Sequence, residues 1–385
     1  MPRVYLDHNA TTPLRPEAAD AVLGVLREAW GNPSSVHWAG AAARERVAQA
    51  RARLAQALHV HPDALTFTSG ATEAINTVLR GAACAGSEIV TCATEHAAVL
   101  EVCEALRAQG VRIRVLEVER DGRLDPDRFA AALGPGTVLA SVMWVNNETG
   151  VIQPIAELVE RARARGVPFH TDAVQALGKL PVDLEAVPVD YASFSAHKLG
   201  GPKGAGALYV RPGARLVPLL CGGPQERRRR AGTENVAGIA GFGAAAQAAA
   251  AELGEAAPRL ARLRDRLWSG IASTVPDAHA NGVPAPRVTN TLNVAFAGAD
   301  GSALVEALDL EGIAVAGGSA CASGSAAPSH VLAAMGLPPE QSMGALRFSL
   351  GCETREQDVE HVLAVLPALV ARVRAAARVA WSISA

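Results

Sequence analysis

Lysine is nearly missing from this chain: Lys179, Lys198 and Lys203 stand against thirty-three arginines. A sequence that uses arginine almost everywhere keeps lysine where a permanent charge will not serve. Arginine cannot lose its proton in a protein, whereas a desolvated lysine can, and can then form a Schiff base. A strong charge of either sign is also missing. The formal net charge of −2 gives no pull toward nucleic acid or an anionic membrane, so neither is expected as a partner. The six cysteines (Cys84, Cys92, Cys103, Cys221, Cys321 and Cys352) include no C-x-x-C pair, which excludes a disulfide framework and a zinc knuckle. No apolar signal region follows Met1, and no uninterrupted apolar stretch reads as a membrane helix. From these absences a cytoplasmic protein with reduced thiols is expected. No internal repeat period is visible, and the abundant alanine is composition only.

Apolar residues make up 49% of the 385, and charged residues 19%, which suits a sizeable buried interior. That length is long for one core and fits two unequal domains. Tyr5 to Pro13 reads as an arm of strand and turn character. Helices follow from Pro16 to about Trp30 and from about Gly40 to Leu58. Strands then alternate with helices. The strands are expected at Ala64–Phe67, Glu88–Cys92, Arg112–Val118, Val138–Val145, Val167–Thr171, Tyr191–Ser195 and Ala207–Val210. Helical crossovers between strands predict a mainly parallel seven-stranded sheet covered on both faces, with ligands at the carboxyl ends of the strands. From Thr233 to about Thr274 a long alanine-rich helix leads to a smaller α/β unit. There, strands are expected at Thr291–Ala297, Ile313–Ala316 and Leu346–Leu350. The division expected is an arm over 1–15 that packs with the small domain, a large domain over 16–252 and a small domain over 253–385.

Chemistry-bearing stretches fall where such a sheet would place a ligand. SFSAHKLGGPKGAG (193–206) carries Lys198 from a strand end into a glycine-rich loop beside Ser195 and His197. A lysine among small hydroxyl donors and glycines can hold an aldehyde cofactor with a phosphate, and pyridoxal phosphate (PLP) is the obvious candidate. A surface lysine in a glycine-rich turn would fit the same residues. Ser69, Gly70, Ala71 and Thr72 open a helix after a strand, a ready anion site, although a plain N-cap is as common. Asp172 and Gln175, in HTDAVQ, end another strand. A carboxylate there can keep a pyridine nitrogen protonated, or can simply cap a helix. His96, in TEH, can stack on a ring and move protons at neutral pH. Arg347 puts a planar fork of donors in a strand of the second domain, suited to an α-carboxylate or to an ion pair. Cys321, in GGSACASGS, sits on a loop of small residues, unlike the other five cysteines, which read as small core residues. The 227–230 arginine run reads as a solvated loop.

Together these stretches resemble a known family. YLDHNATTP, GNPSSVH, FTSGATEAIN, TEHAAV, VNNETG, HTDAVQALGK, SFSAHKLGGPKGAGALYV, RAGTEN, GGSACASGSAAPSHVL and LRFSLG are similar, in order, to motifs of the cysteine desulfurases. Those are PLP enzymes of the class-V aminotransferase group and of fold type I. The long small-residue loop around the cysteine resembles the NifS/IscS type.

The resemblance implies Lys198 as the PLP-bearing lysine, Asp172 at the ring nitrogen, Gln175 near the phenolic oxygen and His96 stacked on the ring. It implies a phosphate site from Ala71, Thr72, Ser195 and His197, with Thr233 reaching the phosphate of the partner subunit. Asn147, not Asn146, would hold the substrate carboxylate with Arg347, and Cys321 would take the sulfur as a persulfide. The activity implied is conversion of L-cysteine to L-alanine by a homodimer, with sulfur passed to an acceptor such as an iron–sulfur scaffold protein. A selenocysteine lyase or another PLP enzyme of the same fold, or an inactive assembly scaffold, are the alternatives. The ending ARVAWSISA departs from the tail with which IscS-type enzymes meet their scaffold.

Overall fold

The computed structural model describes residues 3–317 and 328–384, with side chains described to 377. Cys321 and its loop therefore lie outside the described residues. The chain opens with β1 (Val4–Tyr5), α1 (Pro16–Glu28) and α2 (Trp38–Ala57). Alternation then runs β2 (Leu65–Thr68), α3 (Ala71–Ala82), β3 (Glu88–Cys92), α4 (Ala97–Arg107) and β4 (Arg112–Leu116). It continues α5 (Pro126–Ala132), β5 (Thr137–Ser141), α6 (Ile155–Ala164), β6 (Phe169–Asp172), β7 (Tyr191–Ser195) and β8 (Gly206–Val210). The long α7 (Val236–Thr274) leads to β9 (Ala278–Ala280), β10 (Thr291–Phe296), α8 (Gly301–Leu310), β11 (Ile313–Ala314) and β12 (Ala316–Gly317). After residue 327 come α9 (His330–Ala334), α10 (Pro339–Ser342), β13 (Ala345–Ser349) and α11 (Glu356–Ser384).

Strands β2–β8 form one seven-stranded sheet in the order β2-β8-β7-β6-β5-β3-β4. Every pairing is parallel except those of β8, which runs antiparallel between β2 and β7. The two-residue period of a strand explains how one sheet serves two cores. Ile89, Leu139, Tyr191 and Leu208 point to the face covered by α3 and α4. Their neighbours Val90, Ala140, Ala192 and Ala207 point to the opposite face, where α2 and the first part of α7 pack. The inner strands are buried on both faces, whereas the edge strand β4 keeps exposed positions.

The smaller unit has a four-stranded antiparallel sheet, β12-β13-β10-β9, over a second core. That core takes Leu260, Leu267 and Ile271 from α7 and Val359, Val362 and Leu366 from α11. The helix α7 thus changes cores between Ala249 and Leu260. By length and composition α7 could cross a membrane, but 61% of its most apolar window is buried inside the protein. The expected strand over 313–316 is two short pieces in different sheets: β11 pairs with β1, and β12 with β13.

The arm joins all of this. Beyond its β1–β11 pairing, it bonds His8 N to Ser349 O at 3.1 Å, Thr12 N to His197 O at 2.9 Å and Arg15 N to Gly200 O at 2.9 Å. It therefore runs from the small sheet to the turn that carries Lys198.

Two sequence expectations need correction. Cys92 and Cys103 are buried, but Cys84, Cys221 and Cys352 are exposed, so only two of those five are core residues. The arginine run is only partly the solvated loop expected: Arg227 and Arg228 are exposed, but the run is tied down on both sides. Arg230 bonds Glu73 of α3 at 2.9 Å, Arg227 pairs with Asp63, and the preceding Glu226 is buried against Arg51 at 2.6 Å and the Phe67 N–H at 2.8 Å. Glu226, Arg227 and Arg228 all hold positive φ, a left-handed run that a loop of side chains adopts only when anchored.

Candidate active site

A cavity of about 610 Å³ opens at the carboxyl ends of the parallel strands. Lys198, His96, Asp172, Gln175, Ser195, His197, Ala71, Thr72, Asn147 and Arg347, all expected at the site, line it together. The arm residues Asn9, Ala10 and Thr11 close one side.

Each arrives by a local rule. Lys198 ends a single turn of 3-10 helix, Ala196–Lys198, that follows β7 directly, so its side chain starts from a rigid strand. Lys198 Nζ donates to Asn9 O and Ala10 O, each at 2.7 Å. Gly206 opens β8 beside the Gly70 backbone, where an added Cβ would come within 2.5 Å of Gly70 Cα. Only glycine lets the Lys198 loop and the α3 turn lie so close.

The start of α3 settles one ambiguity. Its N-cap is Gly70, and no side chain caps it. Its first-turn N–H groups are left as an anion site at the cavity wall, with the Thr72 hydroxyl beside them. Asp172 settles another. No helix follows it; its Oδ1 accepts from Val174 N at 3.0 Å in a turn. Burial raises the Asp172 carboxyl, opposed by the nearby His96 and Lys198 and by the Val174 N–H. A buried carboxylate at a cavity wall favours a cationic guest.

His96 caps α4, its Nδ1 accepting from Ala98 N at 3.0 Å. In the neutral ring the proton therefore sits on Nε2. Burial lowers its pKa, Lys198 and His330 lower it further, and Asp172 opposes them. His197 is held down to about 4, mainly by burial and then by Lys198 and Lys203.

The two asparagines of VNNETG divide the work. The Asn146 amide is spent, its Oδ1 accepting from Glu148 N and Thr149 N in its own turn and its Nδ2 donating to Thr94 O after β3. Asn147 instead lines the cavity, and its carbonyl accepts from Arg347 Nη1 at 3.1 Å. Arg347 is 3% exposed, and its Nε is buried without a partner. A buried guanidinium with an unspent N–H calls for an anion from the cavity. Thr233 lies apart, exposed in an adjoining cleft with Ser69 and Arg230. The donor set fits PLP: an uncapped helix N-terminus for phosphate, a buried carboxylate for a ring nitrogen, and a lysine between them.

Sequence reasoning passed over Asn9, Lys179 and Glu95. Glu95 is fully buried, accepts from Met143 N at 2.5 Å, and has an unpartnered Oε2, so burial pushes its carboxyl well up. Lys179 had a visible signal in being one of only three lysines.

Comparison with known proteins agrees with this geometry. A family model described as aminotransferase class-V matches residues 4–362. A protein named cysteine desulfurase from Cereibacter sphaeroides is 48% identical over 380 residues, covering 97% of each chain. One named cysteine desulfurase IscS from Dictyoglomus turgidum is 44% identical over 375 residues, 96% of this chain and 95% of its own. A solved structure titled NifS-like protein superposes with a TM-score of 0.90 at 37% identity, over 96% of this chain and all (100%) of that one. Another, titled SspA in complex with cysteine, gives 0.80 at 30% identity, over 90% of this chain and 98% of that one. This chain belongs to the class-V aminotransferase family, among its cysteine desulfurases.

Proposed function

We propose that this chain is a PLP-dependent cysteine desulfurase that turns L-cysteine into L-alanine and passes the sulfur on through a persulfide at Cys321. One observation carries the reading: a strand-end lysine, a buried carboxylate, an uncapped helix N-terminus and a buried arginine with a spare N–H share one cavity. When bound, PLP supplies an electron-poor ring that accepts charge from the substrate carbon.

The chain's own residues do the rest. Lys198 would hold the cofactor covalently, with Ala71, Thr72, Ser195 and His197 around its phosphate and Thr233 of the partner subunit completing that site. Asp172 would keep the ring nitrogen protonated, Gln175 would meet the ring oxygen, and His96 would lie against the ring. Arg347 and Asn147 would orient the substrate carboxylate, and so place the substrate Cα toward Lys198. Burial lowers the His96 pKa, so its neutral ring, with the proton on Nε2, would stand beside the Lys198 amine for proton transfer. The Cys321 thiolate takes the substrate sulfur. The electron pair of the broken C–S bond stays on carbon, which is then protonated to alanine.

A homodimer in the cytoplasm, serving an acceptor such as an iron–sulfur scaffold, is part of the same proposal. Exposed Trp30, Val36 and Trp38 supply an apolar corner for a second copy, with the two indoles in edge contact at 6.1 Å. Thr233 faces outward, as a residue serving another subunit must.

The test is product analysis. The purified chain with PLP and L-cysteine should form alanine and sulfur in equal amounts, with a persulfide on the Cys321 peptide by mass spectrometry. A keto acid product, or activity with selenocysteine alone, would overturn the assignment.

A further inference from the structure

Behind Lys198 lies a second cavity, of about 350 Å³, lined by His8, Arg15, Lys179, Glu252 and Cys352 among others. Lys198 lines both cavities, whereas Lys179 lines only the rear one. The two lysines meet at a single residue of the arm. Asn9 O accepts from Lys198 Nζ at 2.7 Å and from Gln175 Nε2 at 2.9 Å. Asn9 Oδ1 accepts from Lys179 Nζ at 2.7 Å. Lys179 Nζ also donates to Gln175 Oε1, four residues earlier in the chain. Asn9 is itself fixed, with its Nδ2 on Asn147 O at 3.0 Å and Thr291 Oγ1 at 2.9 Å.

Lys179 donates to two neutral amide oxygens, and no carboxylate among the described residues pairs with it. Two N–H groups satisfy this geometry, so an uncharged amine makes both bonds as well as an ammonium does. Burial, with Lys198 and Arg347 nearby, holds the Lys179 pKa well below the usual lysine range. A residue in this position is costly to maintain unless its hydrogen bonds are used.

We propose that Lys179 is a positioning residue that locks the Gln175 amide with its oxygen turned to Lys179, leaving one Nε2 N–H for the active-site cavity. An amide can flip, and the two orientations present opposite chemistry: a donor in one, an acceptor in the other. Only the donor can stabilise an anionic ring oxygen. This inference rests on the reading of Lys198 as the cofactor-bearing lysine and of Gln175 as the ring-oxygen contact. On that reading, Lys179 favours the deprotonated form of the holoenzyme's coloured centre. Other groups share the field there: His96 and Asp172 from the strand ends, His197 beside Lys198, Arg347 from β13, and His8 from the arm. Replacing Lys179 leaves these side chains in place, and it also removes the charge that, after burial, holds His8 down.

The test is a pH titration of the visible absorption band of the PLP-loaded enzyme. Lys179→Met keeps the length of the side chain and removes both donors. The midpoint should rise, the centre holding its proton about 3- to 10-fold more tightly, the loss expected for one hydrogen bond. In a Gln175→Ala background the same substitution should add almost nothing, because the route runs through the amide. Lys179→Leu, which also carries no donor, serves as a second variant if methionine prevents folding, and the same rise is expected of it. An unchanged midpoint in a folded variant that holds cofactor overturns the proposal. A full shift on top of Gln175→Ala also overturns it. Borohydride reduction and peptide mapping of the parent separate the two levels: label on Lys198 keeps the underlying reading, and label on Lys179 removes it along with this inference.

Discussion

Arg347 Nη2 and Asp7 Oδ1 are bonded at 2.6 Å, a strand of the small sheet joined to the arm. The same guanidinium donates through Nη1 to Asn147 O in the large unit. Three parts of the chain therefore meet at one side chain, and the third nitrogen, Nε, is left over. The Asp7 carboxylate fixes the plane of the fork before any substrate arrives, so little freedom is lost on binding.

Arg347→Lys should raise the KM for L-cysteine about 10- to 100-fold while PLP content stays normal. A point charge cannot keep Asp7, Asn147 and a substrate carboxylate together, and a hydrogen bond to a charged group is worth about 1.5–3 kcal/mol. Steady-state kinetics with a cofactor count checks this. A normal KM would make Arg347 a structural tie only.

Asp172→Ala should leave the cofactor bound and lower kcat about 100- to 1,000-fold, the usual scale for removing one preorganised electrostatic partner. Lys198→Ala should go further, since covalent hold and proton transfer are both lost. Cofactor absorbance and single-turnover alanine formation distinguish the two variants. Near-normal turnover in Asp172→Ala would reduce that carboxylate to the turn bond it makes with Val174.

Cys321→Ser should stop persulfide and alanine formation while the spectrum still changes on adding L-cysteine, because binding needs only the amine and carboxylate contacts. Cys352 is the competing thiol. Its Sγ lies 3.4 Å from Arg15 Nη2, and it lines the rear cavity instead of the one holding Asp172 and His96. Cys352→Ser should keep most of the activity. The opposite pattern would name Cys352 as the nucleophile.

His170 gives a stability prediction. It is fully buried between Ser141 Oγ at 2.8 Å and Ser193 Oγ at 2.9 Å, and burial holds its pKa down to about 3. Unfolding restores a value near 6.5. The unfolded chain thus binds more protons across that window, and stability is lost as pH falls from 6.5 toward 3. Between pH 7 and pH 5 the loss from this group is about 2 kcal/mol. His170→Asn, which does not titrate, should unfold in denaturant with a visibly smaller difference between those two pH values. An identical difference in both proteins would mean that His170 is not the buried neutral group described.

The inner strands of the large sheet were legible because both faces are dry: Glu88–Cys92 and Tyr191–Ser195 are buried at every position, while the exposed edge strand Arg112–Leu116 showed itself by alternation in RIRVL. The residues of the main cavity were legible for a different reason. They follow strand ends, and their types are chemically unusual there: a rare lysine, a carboxylate, and small hydroxyl residues opening a helix. β9, with three residues, was not legible, and although strand character was expected from Tyr5 and over Ile313–Ala316, the pairing of β1 with β11, two residues each, was not: such pieces hold only because a partner strand is already in place.

By itself the sequence determined the alternation of strands and helices, the strand-end chemistry and the resemblance to desulfurases. These are local patterns, and each depends on a few neighbouring residues. Only the tertiary structure decided which of two local options each residue takes. Gly70 leaves α3 uncapped, Asp172 turns instead of opening a helix, Asn146 is spent while Asn147 faces the cavity, and Arg230 ties its loop to Glu73. It also decided that Asn9, 170 positions before Lys179, joins that lysine to Lys198 and Gln175. No local pattern encodes such a junction, because its hydrogen bonds close only after the arm has crossed from one core to the other.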